Sequence, residues 1–179
     1  MALLENQDIR LRALEPEDLD KLYQWENDTE LWQYGSTLAP YSRFALRDYL
    51  ANTLSQTLVE SRQLRLMIVE KATNQTIGTI DLFDIDPING RAGIGILLDK
   101  NYHRRGWALQ SLQLMKGYAV RTLLLQQLYA YVPQANVPSY RLFLKSGFVQ
   151  SGMLQSWLKT ADGLEDVFLM QWLGWADIS

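Results

Sequence analysis

Apolar and polar residues alternate over 8–13, where Ile9, Leu11 and Ala13 are interleaved with Asp8, Arg10 and Arg12. A period of two predicts a half-exposed strand. Pro16, Glu17 and Asp18 then open a helix, because proline suits the first turn and acids favour its positive end. Leu19, Leu22, Tyr23 and Glu26 share one face of it. Phe44, Leu46, Leu50, Leu54 and Leu58 recur at helical spacing and predict a second helix over 43–60. Strand-like runs follow at 64–70, 76–86 and 92–98, the last two joined as a hairpin by DPING at 86–90, with Asn89-Gly90 at its tip. A long helix is predicted from Trp107 to Thr122, a strand at 126–132, and a short helix from Pro138 to Ser146 ended by Gly147. The tail reads as a strand pair, 149–159 and 164–173, around Ala161-Asp162-Gly163. This order of elements predicts a mixed α/β layer architecture.

With 179 residues and no repeat, low-complexity tract or Pro/Gly/Ser linker, residues 1–179 read as one domain. Hydrophobic residues make up 47% and charged residues 21%, which excludes disordered and fibrous classes. No apolar run approaches the roughly 20 residues of a membrane helix. The start, MALLENQDIR, meets Glu5 and Asp8 too early for a signal peptide, so a cytoplasmic setting is expected. Cysteine is absent and His103 is the single histidine, which excludes a thiol nucleophile and any cysteine or histidine-cluster metal site. No metal is expected.

The net charge of −3 hides a strong asymmetry. Residues 1–99 hold 16 acidic and 9 basic side chains. From Lys100 to Ala161 there is no acid, but there are eight basic residues: Lys100, Arg104, Arg105, Lys116, Arg121, Arg141, Lys145 and Lys159. A positive segment inside an acidic chain suits a polyanion, or forms a solvated basic face. The isoelectric point of about 5.2 argues against nucleic acid as that polyanion.

Two segments carry candidate chemistry. Ile94–Leu112, IGILLDKNYHRRGWALQSL, is a strand, a short basic loop with a glycine, and a helix start. A helix N-terminus offers unpaired N–H donors and a partial positive charge to a phosphate. Gly106 admits close backbone approach, and Arg104 and Arg105 add bidentate donors for a pyrophosphate. Neither a Walker loop nor a G-x-G-x-x-G fingerprint is present. In Asn136–Phe148, NVPSYRLFLKSGF, Asn136 and Ser139 flank a helix start, as an amide grip and a hydroxyl donor, or simply as a cap and a first-turn residue.

HRRGWA at 103–108 followed by NxxSxxLFxKxGF at 136–148 resembles the GNAT superfamily of acetyl-CoA-dependent N-acetyltransferases. The loop matches that family's [QR]-x-x-G-x-[GA], with His103 departing at the first position. The opening IRLRALEPEDLDKLYQWEND and GTIDLF at 78–83 look like the subgroup of ribosomal-protein N-terminal and spermidine acetyltransferases, and the resemblance spans roughly residues 8–173. It implies a twisted, mostly antiparallel central sheet of about seven strands flanked by about four helices. It also implies that the GILL strand splays from QQLYAYV, with pantetheine in the gap. Backbone groups of Ile96, Leu97 and Leu98 would then pair with the pantetheine amides, and residues 103–108 (His103, Arg104, Arg105, Gly106, Trp107, Ala108) would hold the pyrophosphate. Asn136, Ser139 and Phe143 would line the arm, with Lys145 and Arg141 near the remaining phosphate. The implied partners are acetyl-CoA and an amine acceptor, with a homodimer possible.

Acetyl transfer to an amine needs a neutral nucleophile, a stabilised oxyanion and a protonated leaving thiolate. Asp81, the odd carboxylate among Ile77, Thr79, Phe83 and Ile85, is the candidate base, or else a residue paired with an arginine. Relatives often carry a glutamate where this chain has Gly93, and a tyrosine acid where it has Phe143. Ser139 is therefore the candidate proton donor, with Tyr140 in reserve. Glu26, Asp28, Glu30, Trp32 and Tyr34 are the candidate acceptor site, through charge and ring faces. The acceptor class stays open between a polyamine or other small amine and a protein N-terminus. The alternative is a CoA-binding module of impaired catalysis.

Overall fold

The computed structural model describes residues 3–32 and 39–174. Seven strands form one sheet: β1 (Ile9–Ala13), β2 (Leu64–Glu70), β3 (Gln75–Asp86), β4 (Arg91–Leu98), β5 (Gln127–Pro133), β6 (Val149–Thr160) and β7 (Gly163–Leu173). Their spatial order is β1-β2-β3-β4-β5-β7-β6. Every neighbouring pair is antiparallel except β4 and β5, which run parallel. The helices are α1 (Leu19–Glu26), α2 (Thr29–Trp32), α3 (Arg43–Ser55), α4 (Leu58–Ser61), α5 (Trp107–Arg121) and α6 (Val137–Lys145). The mixed α/β expectation, including the largely antiparallel seven-stranded sheet, is met, with two one-turn helices added to the four expected.

The helix expected over 43–60 is broken in two. Gln56 turns extended after α3, and Thr57 starts α4 with a capping box, its hydroxyl accepting from the Glu60 N–H while the Glu60 carboxylate accepts from the Thr57 N–H. That T-x-x-E signal was present in the sequence. Of the predicted apolar stripe only Leu46 and Leu50 are buried; Phe44 and Leu54 are exposed.

Helices cover both sheet faces. On one face α5 lays Leu112, Met115 and Ala119 over Ile80, Leu82, Ile94, Leu128 and Ala130 in the larger core cluster. On the other, Leu22, Trp25 and Leu50 of α1 and α3 pack on Met67 of β2. Complete burial of each large aliphatic side chain contributes about 1.5–3 kcal/mol, so both faces are held firmly. Lys116 of α5 is buried, donates to the Ser146 carbonyl at 2.8 Å and lies over the Trp172 ring, so this member of the basic segment ties α5 to the end of α6.

The alternation expected over 77–85 holds only from Thr79 to Phe83. At one end β3 carries an extra residue, Ile77, opposite the step from Ile68 to Val69. At the other, the register shifts between Phe83 and Asp86, with Asp84 in the left-handed region at φ 48°. Ile77 and Ile85 therefore join Ile80 and Leu82 in the α5-side core, while Thr79, Asp81 and Phe83 keep the opposite face.

Close approach of β3 to β4 requires Gly78, where a Cβ would lie 2.2 Å from the Leu97 carbonyl oxygen. Gly78→Ala is expected to destabilise the protein by about 1–3 kcal/mol. Gly117→Ala, in the middle of α5 with open space around the new methyl, is expected to stabilise it by about 0.5–1 kcal/mol. Thermal unfolding of the two variants checks both signs.

Candidate active site

The parallel register of β4 and β5 lasts three residues, Arg91↔Gln127, Ala92↔Leu128 and Gly93↔Tyr129, and then the strands part. In an antiparallel ladder alternate residues turn both backbone groups toward one neighbour. Asp99 N–H donates to the Ile77 carbonyl of β3, so Asp99, Leu97 and Gly95 face β3; Ile94, Ile96 and Leu98 face the other way, Ile94 still toward β5 and Ile96 and Leu98 toward the gap. Ile96 and Leu98 thus stand where pantetheine pairing was expected. Leu97 does not: its carbonyl points into β3.

At the far end of β4 a 3-10 turn, Lys100–Tyr102, leads into the basic loop. The loop reverses through two left-handed residues, Arg104 (φ 62°) and Gly106 (φ 82°), and α5 begins at Trp107. No side chain caps this helix and no acid occupies its first turn, so the N–H groups of Trp107, Ala108 and Leu109 point outward without helical acceptors. A Cβ at Gly106 would meet nothing within 4 Å. Arg104 and Arg105 are exposed and form no ion pair among the described residues; Arg105 rests over the Tyr102 ring. This is a donor-rich, unobstructed cradle that fits a diphosphate. His103, exposed beside it, donates from Nε2 to the Leu98 carbonyl at 2.9 Å, tying the loop to β4.

Asn136 caps α6, its Oδ1 accepting from the Ser139 N–H at 3.2 Å. Its Nδ2 and the Ser139 hydroxyl make no hydrogen bond among the described residues. Phe143 does not line a cleft: it is buried and meets Phe148 edge-to-face at 5.0 Å. Tyr140 packs on Phe168 and donates to Gln150. Arg141 and Lys145 lie exposed on α6.

Asp81 is not a lone carboxylate. Arg65 of β2, its cross-strand partner, donates from Nε and NH2 to both its oxygens at 2.8 and 2.9 Å, and from NH1 to Glu26 at 3.1 Å. Burial works against the Arg65 charge, but Asp81 first and Glu26 last outweigh it and hold the guanidinium pKa above its ordinary value. This pairing is the second of the two roles the sequence left open for Asp81.

The other acceptor-site acids lie elsewhere. Asp28 and Glu30 both pair with Lys100, at 3.3 and 3.1 Å, which raises the lysine pKa. Trp32 Nε1 donates to the Glu26 carbonyl, and Tyr34 lies outside the described residues. Two cavities flank these groups. One of about 600 Å³ lies beneath α3 and α4 and is walled by Tyr49, Leu54, Arg65, Asp81 and Phe83. The second, of about 310 Å³, is bounded by Trp25, Asp28, Glu30, Asp99, Lys100 and His103.

Sequence reasoning passed over Arg65, Gly95, Tyr129 and Tyr131. The signal for Arg65 was available: it interrupts an apolar strand as Asp81 does, and one register brings them together.

Residues 8–149 match the family described as Acetyltransferase (GNAT) domain. The chain belongs to the GNAT acetyltransferase family. It is 30% identical over 173 residues to an uncharacterized N-acetyltransferase p20 of Bacillus licheniformis, covering 97% of each chain. It is 25% identical over 146 residues to the spermidine N(1)-acetyltransferase of Escherichia coli K12, covering 82% of this chain and 75% of that one. The fold superposes on the spermidine N-acetyltransferase of Vibrio cholerae crystallised with CoA and spermine, with TM-score 0.85 at 23% identity, over 97% of this chain and all (100%) of the other. The protein is thus an acyltransferase that uses acetyl-CoA, as the sequence motifs implied. No described helix is long and apolar enough to cross a membrane.

Asp99 anchors α1 to the end of β4, accepting from Trp25 Nε1 at 3.2 Å and from the Asn101 N–H at 3.0 Å. Burial pushes its pKa up, but these donors outweigh that and leave it below the ordinary carboxylate value. A depressed folded-state pKa contributes stability above the unfolded value, near 3.9, that is lost as pH falls through the folded value. The stability gap between the native protein and Asp99→Asn is therefore expected to be full above about pH 5 and to close toward pH 3, as read by urea unfolding across that range.

Proposed function

We propose that the protein transfers the acetyl group of acetyl-CoA to a primary amine by direct attack within a ternary complex. The observation that supports this most is the gap where β4 leaves β5, with the uncapped start of α5 at its end. Ile96 and Leu98 would pair with the pantetheine amides, the 103–108 loop with the diphosphate, Asn136 Nδ2 with the arm, and Lys145 with the remaining phosphate.

Glu26 and Asp81 share one guanidinium, so the cluster keeps one net negative charge that draws an ammonium ion toward the sheet face. An Asp81 oxygen takes the ammonium proton, directly or through water, since each oxygen keeps a lone pair beyond its Arg65 bond. The neutral nitrogen attacks the thioester carbonyl carbon, and the Ile96 N–H stabilises the oxyanion. As the carbon–sulfur bond breaks, the Ser139 hydroxyl gives its proton to the departing thiolate and takes up, through water, the second proton that the attacking nitrogen sheds, so that a neutral amide and a neutral serine are left. The long edge strand β6, with exposed Val149, Met153 and Trp157, supplies the contact of a homodimer.

Acetyl-CoA titration and a free-thiol assay against an amine panel test this reading. Replacing both Arg104 and Arg105 with glutamine is expected to raise KM for acetyl-CoA at least tenfold with little change in kcat. Ser139→Ala is expected to lower kcat about 100-fold at unchanged KM. Native affinity in the double variant would remove the loop from the site, and binding without turnover on any amine would favour a CoA-binding module.

A further inference from the structure

On the α1/α3 face, one row of residues runs across the sheet from Arg65 through Asp81 to Gly95. Continuing the β4–β5 register of Gly93↔Tyr129 past the parting point brings Tyr131 opposite Gly95, across the open gap. Gly95 is a bare floor, since a Cβ there would meet nothing within 4 Å. Phe83 and Tyr129 of the adjacent row and Tyr131 form a continuous edge-to-face chain, with ring centroids 6.0 and 5.6 Å apart. Phe83 fills the space over Gly93, where a Cβ would lie 2.1 Å from the ring, so no side chain projects from β4 at that position. Tyr131, at the gap, is 46% exposed and its hydroxyl has no partner among the described residues.

Resting on the acetyltransferase reading above, we infer that Phe83, Tyr129 and Tyr131 are the specificity wall of the acceptor site. They select a primary monoamine that carries an aromatic or aliphatic substituent close to its nitrogen. The charge balance points the same way. Beside Gly95, two carboxylates and one guanidinium leave a single net negative charge for one ammonium group, while Asp84, Asp86 and Arg91 act on Tyr129 from the β3–β4 turn side. Asp28 and Glu30 with Lys100 leave a second negative charge, but beside the second cavity, which none of these rings lines. The cavity that begins at Asp81 and Phe83 continues past Leu54 and Leu58 to the neutral Asn52, Gln56 and Gln63, and Asp81 is the one carboxylate among its described lining residues, so a second ammonium finds no charge there. Ring faces and edges hold an apolar substituent by area and geometry, and they favour the adjacent cation before it loses its proton.

The test is steady-state acetylation of 2-phenylethylamine and of spermidine by the full chain with acetyl-CoA. The expected kcat/KM is at least tenfold higher for 2-phenylethylamine. Tyr131→Ala should lower that value about tenfold at unchanged acetyl-CoA affinity, while Tyr131→Phe, which keeps the ring, should stay within about threefold. Gly95→Ala, whose new methyl meets nothing within 4 Å, gives an independent reading: it should lower kcat/KM for 2-phenylethylamine at least tenfold and spare coenzyme binding. Equal or greater activity on spermidine, an unaffected Tyr131→Ala enzyme, or turnover only on other acceptor classes overturns the inference and leaves the acetyltransferase reading standing. A native chain that binds no acetyl-CoA overturns that parent reading instead.

Discussion

The parting of β4 from β5 is the constraint on which the functional architecture depends. Inside a sheet each strand satisfies its backbone on both sides, and an unsatisfied N–H or C=O is costly when buried. Here the parallel pair stops after Gly93↔Tyr129, and beyond it the outward-facing groups of Ile96 and Leu98 open onto a gap instead of a neighbouring strand. His103 takes the Leu98 carbonyl, which ties the pyrophosphate-type loop to the strand at the gap's far end. The uncapped N-terminus of α5 follows within a few residues. Unpaired amides of two kinds, from a strand edge and from a helix start, thus lie within a few residues of each other in the chain, and the proposed acetyl-CoA site draws on both. A long, amide-bearing, diphosphate-carrying cosubstrate is the chemistry that completes them.

The sheet on either side of the gap must be rigid for this to hold. On the α5 face, aliphatic packing supplies that rigidity, and the buried Lys116 closes the end of the helix onto Ser146 and Trp172. On the α1/α3 face, Trp25 pins α1 to Asp99, while Arg65 couples β2, β3 and α1 through Asp81 and Glu26. The Arg65 cluster is largely buried, with side-chain exposures of 22% for Arg65, 27% for Asp81 and 29% for Glu26, and the cost of removing its charges from water offsets much of their attraction. Its larger consequence is geometric, since it sets a charged group of fixed sign beside the bare backbone of Gly95.

Much of the fold was legible because hydrophobic periodicity reports which face of an element is buried. Strands 64–70 and 92–98, the long helix from Trp107 and the terminal strand pair have the predicted type and nearly the predicted bounds. The split of the 43–60 helix was missed because the apolar spacing of Leu54 and Leu58 continues across the break, although the Thr57–Glu60 box marks it. The bulges at Ile77 and Asp84 were not legible. Each inserts a single residue, and the strand period cannot show that without its partner's register.

The site divides along the same line. Sequence alone determined the helix-start cradle around Gly106, the segregation of positive charge and the family, because these depend on residues adjacent in the chain. Tertiary structure alone decided that Asp81 meets Arg65, that Asp28 and Glu30 go to Lys100, and that Phe143 sits in the core. It also decided that Phe83, Tyr129 and Tyr131 form a chain of rings, with Phe83 over Gly93. The Arg65, Lys100 and Phe83–Tyr129 contacts among these join residues far apart in sequence through strand register and helix packing. A carboxylate's role follows from the charge that reaches it, and an aromatic ring's from the face it is left to show.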